Sequence, residues 1–487
     1  MAAPTGVVFP VSDDAGNRST SALGRAVVAA ALREVDPVGA RAAEQETVWR
    51  SHYIAHFRRQ IEAGLTSGDA ARRSAADGLA ALHDRMRVVT PDRGEIGLRD
   101  LFSAPPQTPL AQAVHAGQGE AEKELTVPYQ GGRLAGDDLH RRLDAWVEAG
   151  VIEPSCAQAV RTVMAHADWL RLDGRKVAVL GAGAEMGPVH SLLRWGAEVV
   201  AVDLPRPAVW SRLLETARRY AGRLSAPVPA GTVELDPERA GADLLHDLPA
   251  VAAWLASFDG PLVLGNYVYA DGATNVRVSV AVDALTAHLQ SIKDDLALAF
   301  LATPTDAFAV PGEAVAQAER NYKQGSLLKT LRQPVRLLSG GKLLRRNYAP
   351  GADPGVCDSL VAQQGPNYAL AKRLQRWRAA VARDAGTPVS FTVAPPTRTR
   401  SVIKNRALAA AYAGAHVFGV EVFEPATSNT LMAALLVHDL HNPLPPQEHV
   451  WQEEAHAAAH GGLWRTAYSP RSALGLAALL GFGGARG

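Results

Sequence analysis

Residues 174–203 restrict the fold more than any other part of this sequence. They read GRKVAVLGAGAEMGPVHSLLRWGAEVVAVD. Apolar runs at 176–180 and 198–202 are typical of buried parallel strands, and the residues between them predict a glycine-rich turn followed by a helix. A strand, a helix and a second strand form a βαβ unit, which is found in parallel sheets covered by helices. The sequence therefore predicts an α/β fold with a doubly wound parallel sheet.

The glycine-rich turn also predicts a ligand. Gly181, Gly183 and Gly187 allow the backbone to bend tightly and to approach a pyrophosphate, whose charge can rest on the free N–H groups at the helix start. Met186 lies in the same turn, and Asp203 ends the second strand, where a carboxylate can accept hydrogen bonds from a ribose diol. We therefore predict a Rossmann-type sheet that binds a dinucleotide. The alternative is a Rossmann-like unit that binds nothing.

Strand and helix continue to alternate after Asp203. A helix is predicted at 208–224, followed by an acidic loop in which Asp243 is expected beside the adenine. Further apolar strands are predicted at 261–266, 296–302 and 388–394. Asn266 ends the first of these three strands and can lie against a cofactor. In such a sheet, chemistry is expected at the carboxyl ends of the strands.

Residues 1–170 carry no pattern that indicates chemistry. Their apolar periodicity predicts an all-helical N-terminal domain, packed on residues 171–487 or forming a dimer contact. Prolines and glycines make 88–125 an irregular segment in this prediction. The predicted helices are 22–35, 44–65, 68–86, 136–149 and 154–170.

Composition excludes several classes of partner. The formal net charge is +1 over 487 residues, so nothing favours nucleic acid or an anionic membrane. Cys156 and Cys357 are the two cysteines, which fits a reducing, cytoplasmic setting, and we expect neither a signal peptide nor a membrane span. His456 and His460 are helix-spaced, but they have no cysteine or H-E-x-x-H partner, and we predict no metal site.

A second informative stretch is GPNYALAKRLQRW at 365–377. Tyr368 and Lys372 are four residues apart, so on a helix they share one face. An ammonium close to the phenol would lower its pKa and make it a better proton donor and acceptor. Because the pair follows the fifth predicted strand of a dinucleotide-type sheet, we interpret it as a catalytic pair and not as a surface pair.

With these motifs, residues 174–485 resemble the short-chain dehydrogenase/reductase family. The resemblance implies that Tyr368 and Lys372 are the catalytic pair and that Thr303 holds the substrate carbonyl. It also implies that Asn275 supports a proton-relay water. Cofactor contacts are implied or predicted for the following residues: Gly181, Gly183, Met186, Gly187, Asp203, Asp243, Asn266, Lys372, Pro395 and Thr399.

The sequence also departs from the family pattern. Glu185 replaces the middle glycine of the turn and places a carboxylate near the pyrophosphate. Thr305 competes with Thr303 for the position of the family's serine, and Pro396 stands where the family usually has glycine. An insertion at 306–364 separates Thr303 from Tyr368. We interpret it as a lid over the substrate or as an oligomer-forming arm, with a hairpin around Gly340 and Gly341.

The sequence as a whole predicts an NAD(P)-dependent oxidoreductase acting on a small-molecule carbonyl/alcohol pair, with homo-oligomerisation left open. Asp203 favours NAD(H), because a carboxylate repels a 2′-phosphate, while Arg206 keeps NADP(H) open. Three alternatives remain. They are an S-adenosylmethionine methyltransferase, a non-catalytic dinucleotide-binding protein, and a dehydratase or epimerase on the same scaffold.

Overall fold

The computed structural model describes residues 5–324 and 327–482. Its N-terminal part combines helices with short strands. In chain order these elements are β1 (Gly6–Val8), α1 (Thr20–Leu32), α2 (Pro37–Glu44), α3 (Trp49–Gly64), α4 (Gly68–Arg85), β2 (Arg87–Thr90), β3 (Gly94–Gly97), β4 (Leu110–Ala116), β5 (Val127–Tyr129), β6 (Gly132–Leu134), α5 (Gly136–Ala149) and α6 (Pro154–Ala165).

The prediction of an all-helical N-terminal region is wrong. The segment predicted as irregular, 88–125, contains β3, β4 and most of β2, while β1, β2 and β3 pair as a small antiparallel sheet. β4 pairs antiparallel with a strand more than 100 residues later in the chain. Its own pattern is weak because it lies at a sheet edge with a single fully buried residue, so the distant partner and not local periodicity defines it.

The predicted βαβ unit and the elements that follow it alternate regularly. They are β7 (Lys176–Leu180), α7 (Val189–Trp195), β8 (Glu198–Val202), α8 (Pro207–Arg219), β9 (Arg223–Pro229), α9 (Leu248–Ala256), β10 (Leu262–Asn266), α10 (Gly272–Ile292) and β11 (Leu296–Ala302). The helix predicted at 208–224 ends early, and β9 takes its last residues. Pro227 and Pro229 hide this strand in the sequence, and both lie beyond the last residue paired with β8.

The insertion adds a small layer of its own. It contains β12 (Ala307–Val310), α11 (Gly312–Lys323), α12 (Leu327–Leu338) and β13 (Gly355–Asp358). β12 and β13 pair antiparallel, so the start and the end of the insertion lie side by side. The predicted hairpin around Gly340 and Gly341 is wrong, because the leucines before these glycines end helix α12, and no strand follows them up to residue 354.

The remaining elements complete the sheet and cover it. They are α13 (Gly365–Asp384), β14 (Val389–Val393), α14 (Arg400–Lys404), α15 (Arg406–Ala413), α16 (Pro425–His441), α17 (Val450–Ala455) and α18 (Pro470–Gly481). The central sheet has the strand order β14-β11-β10-β7-β8-β9-β4, and every pair except β9 with β4 is parallel. Without the edge strand β4, this is the doubly wound Rossmann order. The predicted α/β fold class is confirmed.

Alternate side chains of each central strand enter opposite layers. Ala178 and Leu180 join a core that includes residues of α1, α3, α4, α10 and α13. Val177 and Val179 join a second core, with residues of α5, α6, α7 and α16. The N-terminal helices therefore pack on both faces of the sheet, and helix α13, which carries Tyr368 and Lys372, lies between the sheet and α3 and α4.

Candidate functional site

The candidate site lies where the strand order of the sheet reverses, at the carboxyl ends of β7 and β10. Gly181, directly after β7, has a φ of +80°, and a Cβ there would lie 2.9 Å from the backbone oxygen of Tyr267, directly after β10. The two loops are therefore in backbone contact. In doubly wound sheets, ligands bind in the crevice at this switch point. Only glycine fits both the left-handed conformation and the close approach.

Asp203 braces the glycine-rich turn from the end of β8. Its Oδ2 accepts a hydrogen bond from the Gly183 N–H at 2.7 Å, and its Oδ1 accepts one from the Leu204 N–H at 2.7 Å. Burial raises the pKa of this carboxyl, and the two hydrogen bonds oppose that rise in part. The ribose contact predicted for Asp203 remains a prediction. What the structure adds is that the same carboxylate fixes the turn.

Glu185 links the turn to the loop after β14. Its Oε2 accepts a hydrogen bond from the Arg400 N–H at 2.9 Å and lies 3.6 Å from Arg400 Nε. The Asn429 side chain also reaches the Glu185 backbone oxygen, at 3.5 Å. Arg400 and Asn429 escaped sequence reasoning because they lie more than 200 residues from the turn.

The loop that contains Pro395 and Thr399 runs from β14 to α14. The Pro395 oxygen accepts a hydrogen bond from the Thr397 hydroxyl at 2.9 Å, and the Thr399 hydroxyl lies 2.9 Å from that of Ser401. Because Arg400 is the next residue, this loop reaches the glycine-rich turn through Glu185. The structure thus brings these predicted cofactor residues to the same edge of the sheet as Gly181.

Tyr368 lies in the first turns of α13 and faces the end of β11. The side chain of Thr303 is close enough to the phenol to lower its pKa, and the Thr303 hydroxyl lies 2.9 Å from that of Thr305. The Tyr269 ring, in the loop after β10, meets the Tyr368 ring edge-on with 6.3 Å between centroids. The structure therefore brings Tyr368 and Thr303 together. Tyr269 belongs to the loop after β10, and Gly181 contacts the same loop at Tyr267. The Tyr368 phenol and the glycine-rich turn therefore flank the same loop.

The predicted lowering of the Tyr368 pKa is wrong. Burial raises the pKa of this phenol, the charge of Asp306 raises it further, and the nearby Thr303 side chain opposes the rise. Lys372 is not among the groups that shift this pKa. Its Nζ donates hydrogen bonds to the Leu301 oxygen and to Gln375 Oε1, both at 3.2 Å. Burial lowers the pKa of Lys372 to about 8.

Gln375 was not predicted, yet it connects Lys372 with the end of β10. Its Nε2 donates a hydrogen bond to Asn266 Oδ1 at 3.2 Å, and both residues are buried. A residue three positions after Lys372 lies on the same helical face, so the spacing could have indicated it. Asn275 has a local role, because its Oδ1 accepts a hydrogen bond from the Ala270 N–H at 3.1 Å and fixes the loop that carries Tyr269.

Asp243 lies in the loop between β9 and α9. Its carboxylate accepts a hydrogen bond from the Leu245 N–H at 2.9 Å, and its other oxygen lies 2.9 Å from His246 Nδ1. The preceding Ala242 N–H donates to the Asp203 backbone oxygen at 2.9 Å. This loop therefore lies against the end of β8, at the side of the crevice where the adenine contact is predicted.

An apolar cavity opens beside Thr305. Its walls come mainly from α15 and α18, with the loop after β14 at one side. From the insertion predicted as a lid, Ser359 and Val361 are among the lining residues. Tyr412 of α15 also lines the cavity; burial raises the pKa of its phenol, and Tyr368 raises it further.

The lowered pKa of Lys372 predicts a dependence of stability on pH. Between about 8 and the ordinary value of 10.5, the unfolded chain binds more protons than the folded chain, so wild-type stability should rise with pH. Relative to Lys372→Met, the free energy of unfolding should rise by up to about 1.4 kcal/mol per pH unit in this window. Urea unfolding at several pH values measures this difference in the free energy of unfolding. The exposed Lys342→Met is the control, and a wild-type minus K372M difference that is flat or falls with pH contradicts the prediction.

Two wider features of the described residues bear on ligand classes. No group of three or more His, Cys, Asp or Glu residues that could hold a metal ion is found among residues 5–324 and 327–482. Within the same ranges, no helix combines the length and the apolar character needed to cross a bilayer.

No protein-family model and no curated protein matches the chain. Among solved structures it is similar to an A1-type ketoreductase, at 14% identity and a TM-score of 0.32, over 63% of this chain and 54% of that one. It is similar to A-type ketoreductases from a modular polyketide synthase at 17% identity and a TM-score of 0.29, over 54% of this chain and 47% of that one. It is similar to the terminal R domain of the myxalamid PKS-NRPS pathway at 11% identity and a TM-score of 0.28, over 53% of this chain and 61% of that one. The chain thus spans about half the length of the first two structures. At these values the likeness does not assign a function.

Proposed function

We propose that this chain is an NAD(P)-dependent oxidoreductase that interconverts a carbonyl compound and an alcohol, with Tyr368 as the proton donor. One observation carries the proposal. The Tyr368 ring packs edge-on against Tyr269 at the carboxyl edge of a Rossmann-ordered sheet, with Thr303 close to its phenol, and it flanks the same loop as the glycine-rich turn. Such sheets bind dinucleotides at this edge, and a phenol held there can exchange a proton with a bound carbonyl.

The residues at the switch point fit a dinucleotide. A Cβ on Gly183 would lie 2.8 Å from Val209 Cγ1 and 3.2 Å from Asp203 Oδ2, so the turn accepts no side chain at this position. Gly181, Gly183 and Gly187 would hold the pyrophosphate, and Asp203 would bind the adenosine ribose. When bound, a nicotinamide dinucleotide supplies or accepts the hydride. The Asp203 carboxylate favours NAD(H), while Arg206, close enough to lower the pKa of that carboxyl, leaves NADP(H) open.

In the direction of reduction, Tyr368 gives its phenolic proton to the carbonyl oxygen, on which negative charge develops. Thr303 orients the same oxygen through its hydroxyl, and Thr305 supports Thr303 at 2.9 Å. The raised pKa of Tyr368 keeps the phenol protonated at neutral pH, so the proton to be transferred is present, but it also makes the phenol a weaker acid. Lys372 holds the nicotinamide ribose, and Gln375 keeps its ammonium in place. The hydroxyl groups of Tyr368 and Thr303 stabilise the negative charge on the carbonyl oxygen, which appears only in the transition state.

Dinucleotide titration tests the proposal. We expect NADH to raise the melting temperature of the protein and to bind more tightly than NADPH. Oxidation of the NADH should follow addition of a ketone. Binding of S-adenosylmethionine without binding of either dinucleotide would assign the chain to the methyltransferases instead. Dinucleotide binding without turnover across a broad carbonyl panel would make it a non-catalytic binding protein.

Glu185 provides a sharper test of where the cofactor binds. Its carboxylate repels a pyrophosphate in the turn and also engages Arg400, so Glu185→Gln should tighten NADH binding by about threefold to tenfold. The gain should shrink in 1 M NaCl because salt screens the charges. Glu424→Gln, which removes a surface carboxylate 3.5 Å from Arg398, is the matched control and should change little. Weaker NADH binding by E185Q would mean that the contact between Glu185 and Arg400 builds the site.

A further inference from the structure

The apolar cavity begins next to the proposed proton donor. The hydroxyl of Thr305, which lines the cavity, lies 2.9 Å from that of Thr303, and the Thr303 side chain is close enough to the Tyr368 phenol to lower its pKa. Tyr412, whose pKa the Tyr368 phenol helps to raise, also lines the cavity. A carbonyl group placed against Tyr368 and Thr303 would therefore extend the rest of its molecule into this cavity.

Helices α15 and α18 form a fixed wall. A Cβ on Gly414, at the end of α15, would lie 2.0 Å from the Ala477 backbone oxygen. A Cβ on Gly481, at the end of α18, would likewise lie 2.0 Å from the Ala410 backbone oxygen. The two helices are thus in backbone contact, and this contact fixes their spacing. The side chains that they turn into the cavity include Leu408, Ala411, Leu474 and Ala477.

The cavity offers no free charge to a ligand. Among the described residues that line it, Arg471 carries the one formal charge, and its guanidinium lies 3.2 Å from Asp358 Oδ2. A carboxylate or an ammonium group placed in the cavity would lose its hydration without gaining a counter-charge.

We propose that the substrate is an uncharged ketone or aldehyde with an extended apolar body, which occupies the cavity between α15 and α18. This inference rests on the proposed carbonyl reduction, because it places in the cavity the apolar part of the substrate whose carbonyl group contacts Tyr368. Each buried methylene group should raise kcat/KM by roughly fourfold until the cavity is full.

Three methyl ketones test the assignment. We expect kcat/KM with NADH to be at least a hundredfold higher for 2-undecanone than for 2-butanone. It should also be at least tenfold higher for 2-undecanone than for 10-oxoundecanoate, in which a carboxylate replaces the terminal methyl group. Equal values for 2-undecanone and 2-butanone, or a preference for the acid, would overturn the inference while leaving carbonyl reduction in place.

A variant of the cavity wall supplies the second measurement. Leu408→Trp narrows the cavity and should lower kcat/KM for 2-undecanone at least tenfold while changing that for 2-butanone less than twofold. Ala407→Trp, on the exposed side of the same helix, is the matched control and should leave both values unchanged. Equal effects of Leu408→Trp on the two ketones would also overturn the inference.

Binding without turnover separates the two proposals. The uncharged dye Nile red should bind the wild-type protein and be displaced by 2-undecanone more readily than by 10-oxoundecanoate. L408W should weaken binding of the dye. If no carbonyl is reduced but this pattern holds, the proposed function fails and the apolar ligand preference of the cavity stands. If dye binding is unaffected by L408W, the cavity is not the ligand site.

Discussion

Tyr368→Phe is expected to lower kcat for ketone reduction by about 10²- to 10⁴-fold, the usual contribution of a positioned general acid. The change removes one oxygen and leaves the ring, so its edge-on packing on Tyr269 should persist. Nothing in the glycine-rich turn is altered, and the dissociation constant for NADH should therefore change by less than about twofold. Stopped-flow oxidation of NADH and fluorescence titration measure the two quantities.

Two comparisons make the Tyr368 result specific. Tyr269→Phe removes a phenol that donates a hydrogen bond to Asp271 at 3.0 Å, beside the same ring, and should leave kcat nearly unchanged. Thr303→Val should lower kcat less than Tyr368→Phe does, because it removes an orienting hydroxyl and not the proton itself. Full activity of Tyr368→Phe would remove Tyr368 from the mechanism. Equal losses in Tyr368→Phe and Tyr269→Phe would point to packing.

The central sheet could be predicted because buried parallel strands are continuous apolar runs. The strands at 176–180, 198–202 and 296–302 are fully apolar or nearly so, and the structure has each of them with those bounds. β9 and β4 could not be predicted in the same way. Prolines interrupt β9, and β4 is an edge strand whose pairing partner lies more than 100 residues away. Tertiary pairing, which leaves no local signal, decides both.

The candidate site, like the fold, could be predicted only where its signal is local in the sequence. Tyr368 and Lys372 could be selected because four-residue spacing on a helix is a local pattern, and the structure places Thr303 against the phenol. The charge environment could not be foreseen. Burial and Asp306 set the direction of the Tyr368 pKa, and Asp306 approaches through the fold of β11 and β12. The cavity walls likewise depend on the backbone contact between α15 and α18.

The largest effect on stability is expected at Arg376, on α13 below the proposed site. Its guanidinium donates two hydrogen bonds of 2.6 Å to Glu454 and one of 2.9 Å to Asp306, and all three side chains are buried. Arg376→Met should lower the free energy of unfolding by about 3–5 kcal/mol, because Glu454 would remain as a buried charge without a partner. Arg398→Met, which breaks an exposed pair, should cost less than about 1 kcal/mol.

The dependence on pH distinguishes an orphaned charge from lost packing. In the wild-type protein, burial raises the pKa of Asp306 but attraction to Arg373 and Arg376 outweighs it, so the pKa is lowered and the stability from this group falls as pH falls. In Arg376→Met, protonation would relieve the buried charge left without a partner, so the deficit in the free energy of unfolding relative to wild type should shrink between pH 8 and pH 5. Adding Glu454→Met should recover at least half of the loss at pH 8. A deficit that is independent of pH, with no recovery in the double variant, would mean that Arg376 acts through its packed volume and not through its charge.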